Sequence, residues 1–198
     1  MTGSRSSRAL SLRPWLIWTA GFLAFPVAGL AGTAVAGRVD DPLSALFGGA
    51  VAGLVIGLGQ VLVSRGRLDI RTWVPATGIG MGTGLLLGAV IVDYGTSLGD
   101  LALMGALTGL LLGPAQAVAL PRGARTRWAW AAAMPVLWAL GWTTTTLGGI
   151  AVDEQFTVFG AYGAVTFSAL SGVLLLLLLP RRPAAPTPTA PTPVQARA

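Results

Sequence analysis

The chain has 198 residues, 54% of them hydrophobic and 10% charged, with a mean hydropathy of +0.73 and a formal net charge of +6. Soluble domains carry about 25% charged residues, so this chain has too few to cover a water-facing surface, and lipid is the surrounding its uncharged stretches fit. It contains no Cys, His, Lys or Asn, which excludes disulfides, Cys/His metal sites, thiol or imidazole catalysis, Schiff-base lysines and N-glycosylation.

The first uncharged stretch, 14–37, follows Arg5, Arg8 and Arg13. Its basic start, apolar run and Ala34-Val35-Ala36 end also fit a secretory signal peptide, but such a peptide has an apolar core of about 7–15 residues. This one is longer, so it is expected to be retained as a span. The second stretch, 42–64, places Gly49, Gly53 and Gly57 at every fourth position and then Gln60. The third, 72–92, opens at Arg71-Thr72-Trp73 and holds Pro75 and the alternating Gly78, Gly80, Gly82 and Gly84. That alternation looks like a nucleotide loop, but it lies inside an apolar run without a preceding strand and is rejected as one. The fourth, 101–121, repeats the second with Gly105, Gly109, Gly113 and Gln116. The fifth, 128–152, carries Pro135 and the run Thr143 to Thr146, and the sixth is 155–180. About 20 residues at roughly 1.5 Å each cross a hydrocarbon core of about 30 Å, and every stretch is long enough. From Pro183 to the end the chain is rich in Pro, Ala and Thr and is expected to be a disordered tail over 183–198.

The expectation is therefore an all-α membrane protein of six transmembrane helices. Arg residues set its orientation. Twelve flank one set of ends (5, 8, 13; 65, 67, 71; 122, 125, 127; 181, 182, 197) and Arg38 alone flanks the other. By the positive-inside rule both termini are cytoplasmic. Abundant Ala, Gly and Arg without Lys or Asn reads as a GC-rich bacterial genome, hence a bacterial inner membrane. The arginines form no single stripe, so nucleic acid is not an expected partner.

Internal repetition divides the six spans into three tandem hairpins, about 13–67, 71–125 and 127–182. Each first helix opens with Arg and Trp (Arg13/Trp15, Arg71/Trp73, Arg127/Trp128) and closes with Val-Asp at 39–40, 92–93 and 152–153. Each second helix has Gly-Ala near its outer end, at 49–50, 105–106 and 163–164. The third copy is degenerate, with Phe167 and Leu174 where the pattern calls for Gly and Gln. Two helices per unit make the repeats parallel.

The glycines at 49, 53, 57, 105, 109 and 113 are expected to form packing grooves. Gln60 and Gln116 are the candidate intramembrane polar residues. Each is expected to make an interhelical hydrogen bond of about 1 kcal/mol, the sharper alternative being solute selection at an inner constriction. The prolines at 26, 75, 114 and 135 predict kinks. Thr143 to Thr146 predict back-bonding to the preceding turn, with at least one facing another helix. The Trp residues at 15, 18, 73, 128 and 130 predict an interfacial belt. No span holds a central charge, which disfavours a proton-coupled transporter. No cofactor, metal or enzymatic activity is expected. The favoured function is a structural or accessory subunit in contact with lipid and with another membrane protein or its own copies. The alternative is a small channel or transporter for a neutral solute.

Overall fold

The computed structural model describes residues 12–120, 123–150, 152 and 156–178. The tail at 183–198 lies outside them, as do Arg5, Arg8, Arg122, Arg181, Arg182, Arg197, Asp153 and Glu154. All regular structure among the described residues is helical: α1 (Leu12–Thr19), α2 (Ala24–Ala36), α3 (Pro42–Ser64), α4 (Ile70–Ile91), α5 (Leu98–Ala119), α6 (Ala124–Leu147) and α7 (Ala161–Leu178). A 3-10 turn, Ala20–Leu23, joins α1 and α2 into one rod. Five helices are long and apolar enough to cross a membrane: Leu12–Ala36, α3, α4, α5 and α7. At 24 residues α6 matches them in length, but four Trp, five Thr and two Arg lower its mean hydropathy.

Local chemistry sets several boundaries. Asp41 caps α3 by accepting from Leu43 N at 2.7 Å and Ser44 N at 3.0 Å, with Pro42 in the first turn, where its missing N–H is harmless. Ser97 caps α5 by accepting from Asp100 N at 3.2 Å. At the far end of α3 the chain turns through Arg65 (φ 54°) and Gly66 (φ 75°), the left-handed region where a glycine costs least. The 3-10 turn has its cause in Pro26. The ring crowds the carbonyl four residues earlier, that of Phe22, and Pro26 has no N–H to give it. Pro75, Pro114 and Pro135 lie within α4, α5 and α6 without interrupting them. Of the four expected kinks, only the one at Pro26 coincides with a break in α-helical geometry.

Consecutive helices are neighbours, and α7 returns to pack on α1, α2 and the turn between them, closing the bundle. Side-chain size is sorted: Leu16, Leu30, Leu62, Ile79, Leu110 and Val136 point outward, while Gly and Ala line the helix contacts. The interior is filled by Phe25, Trp73, Met81, Met104, Trp130, Trp138, Phe159 and Phe167, all essentially inaccessible.

Two expectations need correction. The tryptophans do not form a belt: Trp128 is 77% exposed, but Trp18, Trp73 and Trp130 are buried. The indole N–H of each has found an acceptor inside, described below. The sixth stretch, expected to span 155–180, is helical only from Ala161. Residues 156–160 are non-helical, and Thr157, Val158 and Phe159 are buried. Small residues on α2, α3 and α6 make room for them. A Cβ on Gly32 would lie 2.7 Å from Thr157 Oγ1, one on Gly48 2.8 Å from Thr157 Cγ2, and one on Gly141 2.5 Å from the Phe159 ring. Phe159 stacks on Phe25 (centroids 5.2 Å apart) and meets Trp138 at 4.9 Å. Irregular backbone is tolerated at such depth because protein, not lipid, surrounds it.

Candidate functional site

The six predicted groove glycines sit at two helix contacts. Along α3, a Cβ on Gly49 would meet Met81 O at 3.0 Å, one on Gly53 would meet Gly78 Cα at 2.9 Å, and one on Gly57 would meet Val74 Cα at 3.2 Å. The partner numbers fall as the glycine numbers rise, so α3 and α4 are antiparallel. Along α5, Gly105 faces Trp138 O (2.8 Å), Gly109 faces Pro135 Cα (2.7 Å) and Gly113 faces Ala131 O (2.6 Å) on α6. Backbone meets backbone at each point, and only a missing side chain allows that approach. A second ladder, Gly80, Gly84 and Gly88 of α4, faces Leu112, Thr108 and Met104 of α5.

Gln60 and Gln116 lie where these contacts converge. Both are buried, and they touch: Gln116 Nε2 donates to Gln60 Oε1 at 3.4 Å and to Thr77 Oγ1 at 3.0 Å. Gln60 Oε1 also accepts from Trp73 Nε1 at 2.8 Å, and Gln116 Oε1 accepts from Trp130 Nε1 at 3.0 Å. The Thr77 hydroxyl donates back to Trp73 O at 2.8 Å. Two amides, two indoles and one hydroxyl thus bind α3, α4, α5 and α6 into one network. The two rings meet edge-on at 5.8 Å. Both Gln116 amide protons are engaged and its oxygen accepts one bond, so this side chain has no donor left for a solute.

The contact between α1 and α7 uses other acceptors. Trp18 Nε1 donates to Ser171 Oγ at 3.1 Å, and Trp15 Nε1 to Ala169 O at 2.9 Å, tying α1 to α7. A Cβ on Gly172 would strike Trp18 Cδ1 at 2.6 Å. At the degenerate positions, Phe167 fills the interior against Phe25, Trp138 and Phe159, and Leu174 is partly buried apolar packing.

The threonine run follows its expectation in detail. Thr143, Thr144, Thr145 and Thr146 donate to the carbonyls of Ala139, Leu140, Gly141 and Trp142, each four residues back. Thr145 is the buried member, and its Oγ1 would lie 2.5 Å from a Cβ on Gly163 of α7.

Sequence reasoning missed the reciprocal caps at the Arg-poor ends. Asp41-Pro-Leu-Ser44 and Ser97-Leu-Gly-Asp100 are both capping boxes, with acid and hydroxyl exchanged. Their offset of 56 residues equals that between Gly49 and Gly105. Backbone donors from Ser44 and Leu43 lower the Asp41 pKa below its ordinary 3.8. Among the described residues, no three acidic side chains gather as metal ligands. Comparison with protein-family models, curated proteins and solved structures returns no match to this chain.

Proposed function

We propose that this is a six-span bacterial inner-membrane protein of three parallel hairpins, with cytoplasmic termini, acting as a structural or accessory subunit. The buried Gln60–Gln116 network carries the reading. Both amide oxygens and the Gln116 amide N–H groups are used inside it, on each other and on Trp73, Thr77 and Trp130, and bulky aromatic side chains close the interior above it. A neutral-solute path would need free polar atoms along an open lumen.

Several observations support the finer architecture. From Trp128 onward the outward positions of α6 are Trp128, Ala132, Val136, Leu140 and Leu147, an apolar stripe suited to lipid. Of the residues that lower its hydropathy, Trp130, Trp138 and Trp142 turn inward and Thr143 to Thr146 bond their own backbone. Trp73 and Trp130 each reach a Gln on the preceding even-numbered span, and Trp18 of the first span reaches Ser171 of the last, a pattern that fits three repeats arranged in a ring. The Gly grooves build the bundle from within, which leaves the large apolar outer faces for lipid and a partner protein.

Purified chain in liposomes should show no flux of water or glycerol above that of empty vesicles. Flux that Gln116→Leu changes would favour the channel reading. Reporter fusions after Arg67 and Arg125 should report cytoplasm, and fusions near Asp41, Gly95 and Glu154 the exterior. Two or more inverted assignments would sink the six-span topology.

A further inference from the structure

At the Arg-rich end of the bundle, a recess of about 450 Å³ opens between the α3–α4 connection and the end of α5. Arg67, Asp69, Thr72, Val118, Leu120 and Arg127 are among its walls. Arg127 Nη2 donates to Val118 O at 3.1 Å and Leu120 O at 2.9 Å. These carbonyls lie at the α5 terminus, where helical donors run out. Its Nε is buried with no hydrogen-bond partner. The Arg67 guanidinium makes no hydrogen bond or ion pair among the described residues. Opposing them is one carboxylate, Asp69, which accepts from Arg71 N at 3.0 Å as the cap of α4.

We propose that this recess binds the phosphodiester of an anionic phospholipid headgroup. The inference rests on the membrane reading above. Two guanidinium groups against one carboxylate leave the walls at a net +1 (2 − 1), which suits a monoanionic phosphodiester better than a phosphate dianion. Arg127 is held by the α5 carbonyls, and Arg67 supplies the free planar fork that pairs with phosphate oxygens. The surroundings are those of an amphiphile. Val118, in the wall itself, is 75% exposed, and Ile70, next in the chain to the wall residue Asp69, is 50% exposed, so acyl chains would continue along apolar surface from the headgroup. A basic pocket between helices at this level is a recurrent form of headgroup recognition.

The test uses the full chain in neutral detergent, with melting temperature and lipid retention by native mass spectrometry as readouts. Phosphatidylglycerol should be retained and raise the melting temperature. Phosphatidylcholine and soluble glycerol phosphate at equal concentration should not. Arg67→Gln should weaken phosphatidylglycerol binding about tenfold or more, the worth of a hydrogen bond to a charged group. The exposed Arg65→Gln, outside the walls, should change it little. Unchanged lipid-free melting of Arg67→Gln would establish that the fold survives. Equal losses in the two variants would overturn the site in favour of diffuse charge attraction. An equal response to glycerol phosphate would overturn the lipid assignment. A chain that never enters micelles would fail the membrane reading instead.

Discussion

Adding one methyl group at Gly109 puts the packing account under the most strain. A Cβ there would lie 2.6 Å from the Met134 carbonyl carbon and 2.7 Å from Pro135 Cα, and closer still to Met134 O. All three are backbone atoms, so no rotamer can move aside. Ordinary carbon contacts are about 3.5–4.0 Å, so α5 and α6 must part by about 1 Å where Gly105 and Gly113 also hold them together. Overpacking of this kind costs about 1–3 kcal/mol. Alanine's better helix propensity returns about 0.8–1.0 kcal/mol, and lipid already supplies an apolar surrounding, so burial adds nothing. Gly109→Ala should therefore gain nothing and lose up to about 2 kcal/mol net. Gly99, on the first turn of the same helix, is the internal control. Its Cβ would have only Ser97 Oγ within reach, at 3.8 Å, so Gly99→Ala should gain about 0.4–1 kcal/mol. Reversible unfolding by SDS in mixed micelles measures both. If Gly109→Ala proves as stable as Gly99→Ala, the close approach of α5 and α6 is wrong.

Gln116→Leu should cost about 1–3 kcal/mol, because it leaves the buried Trp130 indole without its acceptor. Adding Trp130→Phe should recover much of that loss, and additive losses in the double variant would contradict the pairing. Thr157 Oγ1 is buried without a partner, so Thr157→Val should raise the melting temperature by removing a desolvated hydroxyl. A lower one would contradict the burial of residues 156–160. Asp41→Ala should unfold more easily at neutral pH. The folded Asp41 pKa lies below its ordinary value, so the carboxylate's stabilisation is complete above 3.8 and is lost as pH falls through the lower folded value. The two proteins should converge at pH below that value, and a gap that persists there would refute the cap's electrostatic part.

Much of this bundle was legible from spacing. Glycines four apart mark a helix face with no side chains, and Gly49, Gly53 and Gly57 lie on such a face against α4. The charge-free run 42–64 located both ends of α3, because Asp41 and Arg65 bound it on either side. Direction was harder to read. Trp73 and Trp130 stand beside Arg residues, the usual sign of an interface, yet both turn inward. What decides this is an acceptor on another helix, 13 and 14 residues earlier in the chain, and no local pattern reveals it. The same distance in sequence hides what a lost Gln leaves behind, a buried indole N–H without its acceptor. Residues 156–160 misled most. They are apolar like the helix they precede, and their irregular path depends on gaps at Gly32, Gly48 and Gly141, remote in sequence. The capping boxes were readable in principle, since a hydroxyl and an acid three residues apart flank both helix starts.

A bundle whose interior is committed to holding itself together does its work at the outer faces. Purification from the host's own membrane in mild detergent, followed by mass determination of the intact assembly, tests this most directly. The account predicts a second membrane protein retained at fixed stoichiometry. A chain recovered alone, or only with its own copies, that conducts a neutral solute when reconstituted would contradict it.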